Sequence, residues 1–202
     1  SGASDSAHRA VRADGSLDTY VRALSALLSA GPGRDVSYLC REAETRFPES
    51  TEVKRIRGNL EYGEGEYLRA SATFASALGD APDDPVLWYS RGMADEARDD
   101  LESAEEAYDR ALELDPDEPE YWISKAAVRE RRGDNRGAVR ALDRAAALDR
   151  TRTYPVIRKA MILSSEGRVP EALHLMETAA RMDPGSDRVR EEIEEDLAIP
   201  AE

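Results

Sequence analysis

The sequence has little of what catalytic and metal sites are usually built from. Its 202 residues include one cysteine, Cys40, and two histidines, His8 and His174. A single cysteine excludes an internal disulfide and a thiolate-rich metal site, and two histidines leave little for imidazole chemistry. Aromatic residues make up 6% of the chain, so a core has to be filled mainly by alanine and leucine.

Cationic charge and long apolar runs are also scarce. Lysine and arginine total 28 against 42 aspartate and glutamate residues, which gives a net charge of −14. This balance argues against nucleic acid as a partner, because nucleic-acid binding draws most of its affinity from neutralised phosphates. No run of about 18 apolar residues is present, so we expect no membrane-spanning segment and no membrane partner. The location stays open, with the cytoplasm favoured.

A 34-residue period organises most of the chain. Trp88 and Trp122 stand one period apart, and alanines recur at the same interval. Apolar residues within each copy recur every three or four positions, which is typical of helices. In four of the five copies glycine follows the first apolar run, and in four of them proline follows the second. A helix, a turn and a second helix are therefore predicted for each copy: 17–50, 51–84, 85–118, 119–152 and 153–186.

Small residues at fixed positions predict close packing between the two helices of a copy. The eighth position holds glycine or alanine in four copies: Gly58, Gly92, Ala126 and Ala160. The twenty-fourth position of the same copies holds a bulkier residue: Phe74, Tyr108, Leu142 and Met176. We expect the bulky side chains to fill the gaps that the small residues leave. Because one helix pair cannot bury its apolar face alone, neighbouring pairs are expected to stack.

These residues carry a resemblance to a known family. The third copy resembles the tetratricopeptide repeat (TPR) signature at Trp88, Gly92, Ala104, Tyr108, Ala111 and Pro116. The fourth copy is similar to it at Trp122, Ala126, Gly133, Ala138 and Ala145. The resemblance covers residues 17–186 and implies an all-α fold, a right-handed α-solenoid of five tandem helix-turn-helix repeats. It is less informative about function, because such arrays serve many partners.

The two ends of the chain are predicted to differ. Residues 1–16 are small and polar, and we expect a disordered or weakly ordered segment there. Residues 187–202 place Val189, Ile193 and Leu197 four apart on one face of a helix whose other face is charged. That pattern predicts a C-terminal capping helix and tail covering the last repeat.

The resemblance also places a candidate binding surface. It implies that the second, fifth, ninth and twelfth positions of each first helix line a concave groove, whose middle and end are apolar and aromatic here. The candidate partner-binding residues are Arg55, Asn59, Tyr62, Tyr89, Met93, Glu96, Ile123, Glu130, Tyr154, Ile157 and Met161. Such a strip suits a helix or an extended apolar peptide. The alternative is that part of it belongs to the core of the repeats.

The seventh and eleventh positions depart from the family, which usually has apolar residues there. The eleventh position holds Glu61, Asp95 and Arg129 in the second to fourth copies, and the seventh position is basic from the second copy to the fifth: Arg57, Arg91, Lys125 and Lys159. One interpretation is that the basic side chains cover apolar surface and pair with carboxylates four residues on. The other is a basic ladder that contacts an acidic partner.

No arrangement of residues indicates catalysis. The glycines recur as turns one period apart, and no phosphate-binding glycine loop is present. Cys40 has no histidine within its copy to act as a base. Carboxylate pairs such as Asp83 and Asp84 fall at turns, where solvation is the default. We therefore predict that the chain is not an enzyme and has no catalytic, metal or cofactor site.

Three functions are compatible with such an array. We predict a non-catalytic protein-protein interaction scaffold or adaptor that binds a peptide or helix in its concave groove. The first alternative is a structural module that self-associates into a homo-oligomer. Residues 85–118 carry a net charge of −9 and residues 119–152 one of +4. This asymmetry is compatible with head-to-tail contact or with steering of a charged partner, but the favoured interpretation is that the charges are solvated faces of second helices. The second alternative is the regulatory part of a larger multidomain protein.

Overall fold

Eleven α-helices and no β-strand make up the residues that the computed structural model describes, 2–29, 31 and 33–183. The helices are α1 (Gly2–Asp14), α2 (Leu17–Leu28), α3 (Arg34–Arg46), α4 (Thr51–Gly63), α5 (Tyr67–Asp80), α6 (Pro85–Ala97), α7 (Leu101–Leu114), α8 (Pro119–Arg131), α9 (Asn135–Leu148), α10 (Tyr154–Ser165) and α11 (Val169–Met182). The all-α fold class predicted from the sequence is confirmed. The right-handed superhelix and the repeat number stay predictions.

The helices belong to two compact units. The first unit, residues 1–114, contains α1 to α7, and the pairs α2/α3, α4/α5 and α6/α7 pack against each other. Within it α2 contacts α4, and α4 contacts α6, so first helices of successive pairs are neighbours. The second unit begins at Asp115 and contains the pairs α8/α9 and α10/α11, with α9 also contacting α10.

Local side chains determine where the helices begin. The Ser50 hydroxyl accepts a hydrogen bond from the Val53 amide at 3.3 Å and caps α4. Asp84 caps α6 by accepting from the Val86 amide at 2.9 Å, and Pro85 occupies the first turn, where a missing N–H has no partner to lose. The turn of the third pair has no glycine; there Asp99 adopts φ 66°, a left-handed conformation that aspartate tolerates better than most residues.

Glycine and an aromatic ring fit together inside two of the helix pairs. A Cβ atom added to Gly58 would lie 2.5 Å from Cε1 of Phe74, and one added to Gly92 would lie 2.6 Å from Cε1 of Tyr108. Both rings are buried. The glycines are required because the rings of the second helices pass over the backbone of the first. The gap-filling predicted from the small and large positions is thus present in these pairs.

The N-terminal segment differs from the weakly ordered segment predicted for residues 1–16. It forms α1, and the side chains of Ala7 and Val11 are buried in a core cluster with Tyr20 and Leu24 of α2. These two apolar residues stand four apart on one helical face, a spacing that a mostly polar composition obscures. The helix covers apolar surface of the first pair, as a terminal cap does in stacked repeats. The capping helix predicted for 187–202 lies outside the described residues.

Candidate functional site

The candidate residues of the first unit lie on α4 and α6, which contact each other. Asn59 is exposed, and the others are half-buried: Arg55, Tyr62, Tyr89, Met93 and Glu96. These half-buried side chains are partly packed against the protein and partly exposed. The contact between α4 and α6 places the two sets of candidates on neighbouring first helices.

Four tyrosines form two ring pairs in this part of the unit. The Tyr62 and Tyr67 ring centroids are 5.3 Å apart at 58°, and those of Tyr89 and Tyr108 are 5.6 Å apart at 38°. These separations and tilts are within the range of favourable aromatic contacts. The Tyr108 hydroxyl donates a hydrogen bond to Oε2 of Glu96 at 2.8 Å, which holds this carboxylate beside the rings.

The environment of Tyr62 is apolar and negatively charged. Burial raises the pKa of Tyr62, and the charges of Tyr67 and Glu96 raise it further. Tyr67 and Tyr108 were not predicted as site residues, because the candidate positions all belong to first helices. Tyr67 begins α5, and Tyr108 reaches across Gly92 from α7. Tyr108 could have been identified from Gly92, because a glycine at the eighth position indicates a bulky side chain packed against it.

In the second unit the candidates lie on α8 and α10. Arg158 Nη2 donates to Oε2 of Glu130 at 2.7 Å, and Arg158 Nη1 lies 3.6 Å from the sulfur of Met161. Glu130 and Met161 line a cleft of about 470 Å³ together with Ser164 and Ser165. The ion pair therefore stands at the wall of an open cleft. Ile123 is half-buried and Tyr154 is exposed.

Ile157 is a correction to the candidate set. Its side chain is 7% exposed and belongs to the core cluster that includes Ala160, Leu163 and Met176. The Ile157 side chain packs between α10 and α11, which explains why this position of the repeat is apolar here. Ile157 therefore offers almost no surface to a partner. The alternative that part of the apolar strip belongs to the core therefore holds at this residue.

The basic residues of the seventh position make contacts within the chain. Arg91 and Arg110 lie over the Trp88 ring, 5.7 and 5.8 Å from its centroid. Lys125 and Arg144 lie over Trp122 in the same way, at 5.6 and 5.7 Å. Such cation–π contacts use the long side chains to cover an aromatic face. The remaining two form ion pairs: Arg57 with Glu61 at 2.8 Å, and Lys159 with Asp143 at 2.6 Å.

The carboxylates of the eleventh position are buried. Glu61 is 3% exposed and accepts hydrogen bonds from Arg57 and, at 2.6 Å, from Thr73. Asp95 is 0% exposed; its Oδ1 accepts from Ser71 at 2.6 Å and from Arg98 at 3.0 Å. Ser71 lies on α5 of the preceding pair, so Asp95 ties α6 to its neighbour. Charged partners and hydroxyls compensate the cost of burying these two carboxylates.

The described residues 2–29, 31 and 33–183 hold no cluster of three or more His, Cys, Asp or Glu side chains that could bind a metal ion. In the same residues, no helix combines the length and apolar character needed to cross a bilayer.

Cys40 has the environment of a core residue. Its side chain is fully buried, and burial raises the pKa of the thiol to about 11. Nucleophilic cysteines have lowered pKa values, because the thiolate is the reactive form. We expect native Cys40 to react with a thiol reagent such as dithionitrobenzoate about a hundredfold more slowly than in denaturant. Absorbance of the released thiolate measures both rates, and equal rates would contradict the buried placement.

Comparison with known proteins agrees with this helix-pair arrangement. Residues 85–128 match the family model for the tetratricopeptide repeat. Over these residues the chain is similar to a tetratricopeptide repeat. In the first unit the matched residues include the Gly92–Tyr108 contact and the Trp88 ring, which are the features that carried the resemblance in the sequence. No curated protein matches the sequence.

Several solved TPR-type structures share the fold. PilW, described as a widely conserved type IV pilus biogenesis factor, superposes with a TM-score of 0.83 at 16% identity, covering 93% of this chain and 87% of PilW. YrrB, described as a TPR protein with an unusual peptide-binding site, superposes with a TM-score of 0.71 at 15% identity, and the match covers 93% of this chain and 97% of YrrB. TTC0263 of Thermus thermophilus superposes with a TM-score of 0.67 at 18% identity, and the match covers 91% of this chain and 100% of TTC0263. At these identities the likeness establishes the fold and no shared function.

Proposed function

We propose that this TPR protein is a non-catalytic interaction scaffold that binds a peptide or helix on the first-helix face of its first unit. The observation that carries the proposal is the row of half-buried aromatic and thioether side chains on α4 and α6: Tyr62, Tyr89 and Met93. Tyrosine supplies rigid contact area, and methionine adapts to irregular partners. Partly exposed apolar side chains grouped on neighbouring helices are typical of interaction sites in soluble proteins.

Two further observations support the proposal. The chain has the fold of YrrB, whose description includes a peptide-binding site, although the low identity carries no residue over. The cations of the seventh position make contacts within the chain. We therefore favour the first-helix face, rather than a ladder of basic side chains, as the surface that contacts a partner.

A paired pull-down tests the proposal. The variant Tyr89→Asp/Met93→Asp places two charges on the face and should lose the partner captured by the wild type, because buried unpaired charges are costly in an interface. The matched control Tyr38→Asp/Leu68→Asp alters two apolar residues that are 60% and 67% exposed on the second helices α3 and α5, and it should keep the partner. Circular dichroism has to show equal helicity for both variants.

The outcomes separate the competing functions. A partner retained equally by both variants would reject the face as the binding surface. Light scattering over a range of concentrations reports self-association in the same samples. If the molar mass rises with concentration in the wild type and not in the face variant, the partner is a second copy, and the chain acts as a self-associating module.

A further inference from the structure

Two second helices carry exposed rows of opposite charge at the same positions of their repeats. Glu102 and Glu106 of α7 form what we call the acidic row, and Arg136 and Arg140 of α9 form the basic row. Each arginine follows its glutamate by one 34-residue period. We propose that the protein self-associates by docking the basic row of one copy against the acidic row of another. This interface lies on second helices and goes beyond the peptide-binding face of the proposed function.

The four side chains are exposed and lack a counter-charge among the residues that the structure describes. There, neither the glutamates of the acidic row nor the arginines of the basic row form an ion pair or a side-chain hydrogen bond. Like charges four residues apart on one helix repel each other. Each row therefore holds an unfavourable interaction that a row of opposite charge from a second copy would relieve.

Other cations of the second unit differ from the basic row, because carboxylates of the same chain neutralise them. Arg158 pairs with Glu130 at 2.7 Å, and Lys159 pairs with Asp143 at 2.6 Å. Asp143 is the one acidic residue of α9, and it is occupied by this contact. The helix therefore has no carboxylate left for the basic row, whose charge stays uncompensated at the surface.

The rows match in spacing as well as in sign. Residues four apart in an α-helix lie on one face, about 6 Å from each other along the helix axis. Two helices lying side by side, parallel or antiparallel, can therefore pair both arginines with both glutamates. Exposed ion pairs are individually weak, so we expect a reversible association rather than a permanent dimer.

A second copy complements the basic row better than a nucleic acid does. Helix α7 carries five carboxylates against one arginine, whereas α9 carries three arginines against one aspartate. Two copies therefore attract each other at both rows, whereas a nucleic acid is negative throughout and is attracted at the basic row alone. The net charge of −14 opposes both partners, but salt at about 0.1 M screens charges beyond about 10 Å, and the paired rows are closer than that.

Sedimentation velocity at increasing concentration tests the inference on the full chain. The wild type should sediment faster as its concentration rises, because a larger fraction is associated. Arg136→Glu/Arg140→Glu and Glu102→Arg/Glu106→Arg each give both rows the same sign, and each should raise the dissociation constant at least about tenfold. The first variant makes the net charge more negative and the second makes it less negative, so a loss in both excludes overall charge as its cause.

Mixing the two variants gives a measurement that misfolding cannot reproduce. The arginines placed on α7 in one variant pair with the glutamates placed on α9 in the other, so an equimolar mixture should associate although neither variant does alone. Both variants keep a net negative charge, so nonspecific attraction does not explain such a complex. The matched control Arg12→Glu/Arg34→Glu reverses two exposed arginines of α1 and α3 and should associate like the wild type.

Three results would overturn the row interface. The first two are a wild type that stays monomeric at millimolar concentration and a mixture that associates no better than its components. The third is duplex DNA binding that is lost in Arg136→Glu/Arg140→Glu, in a wild type that does not self-associate, which would assign the basic row to a polyanion instead.

Failure of this interface is distinguishable from failure of the proposed function. Tyr89→Asp/Met93→Asp leaves both rows intact, so it should lose the captured partner and still self-associate like the wild type. The two row variants should keep that partner. Self-association that is lost in Tyr89→Asp/Met93→Asp and kept in the row variants would move the contact to the first-helix face and overturn the row interface.

Discussion

Asp95→Ala is expected to lower the free energy of unfolding by about 3 kcal/mol, a large fraction of the stability of a small protein. The carboxylate is fully buried and accepts hydrogen bonds from Ser71 and Arg98, with Arg91 Nε 3.5 Å from its other oxygen. Its removal leaves the buried Ser71 hydroxyl without this acceptor and Arg91 without this counter-charge, whereas Arg98 keeps its ion pair with Asp100. The arginine side chains are one-third exposed, so water compensates part of the lost interaction energy. The expected loss of stability is therefore at the lower end of the range found for broken buried ion pairs.

Urea denaturation followed by circular dichroism measures this effect. Asp83→Ala is the matched control, because it makes the same substitution at an exposed turn and should change stability by less than about 0.5 kcal/mol. Equal midpoints for the two variants would show that the contacts of Asp95 contribute nothing. The result bears on function, since Asp95 links α6, the helix that carries Tyr89 and Met93, to α5.

Gly58→Ala is expected to destabilise the protein by about 2 kcal/mol, although alanine is normally the better helix former by about 1 kcal/mol. The new Cβ would lie 2.5 Å from Cε1 of Phe74, closer than real Cβ atoms approach. Phe74 is buried, so its ring can yield only against the close-packed side chains around it. Overpacking therefore outweighs the gain in helix propensity.

The chain supplies its own control for this substitution. Gly79 lies in α5 with nothing within 4 Å of an added Cβ, so Gly79→Ala should stabilise the protein by about 0.5 to 1 kcal/mol. The double variant Gly58→Ala/Phe74→Leu reproduces the alanine and leucine found at Ala126 and Leu142, and it should be more stable than the sum of the single changes predicts. Additive effects, or a stabilising Gly58→Ala, would refute the packing argument.

The positions of the helices could be predicted from the sequence because their causes are local. Capping residues such as Ser50 and Asp84, and a proline in the first turn of α6, act within a few residues of the backbone they satisfy. The small and large positions could also be predicted, since glycine or alanine at position eight and a bulkier residue at position twenty-four recur in four copies. These features recur in register, so each copy supports the assignment of the next.

The candidate binding site could be predicted only in part. The 34-residue period indicates on which face of a helix a residue lies, but it does not indicate whether another helix packs over that face. Tyr62, Tyr89 and Met93 are half-exposed on their first helices, whereas Ile157 occupies an equivalent position and is buried between α10 and α11. Likewise, composition suggested weak order for residues 1–16, and only the packing of Ala7 and Val11 against α2 explains a helix there.

The sequence by itself determined the helix pairs, their turns and the TPR resemblance, since all three depend on spacing along the chain. Tertiary structure alone decided which side chains of different helices meet. Side chains of two different helices meet where Arg110 lies over Trp88 and Arg144 over Trp122. They also meet where Ser71 donates to Asp95 and where the Tyr108 hydroxyl donates to Glu96. Such contacts depend on side-chain reach and burial in three dimensions, which the periodicity within a single helix does not specify.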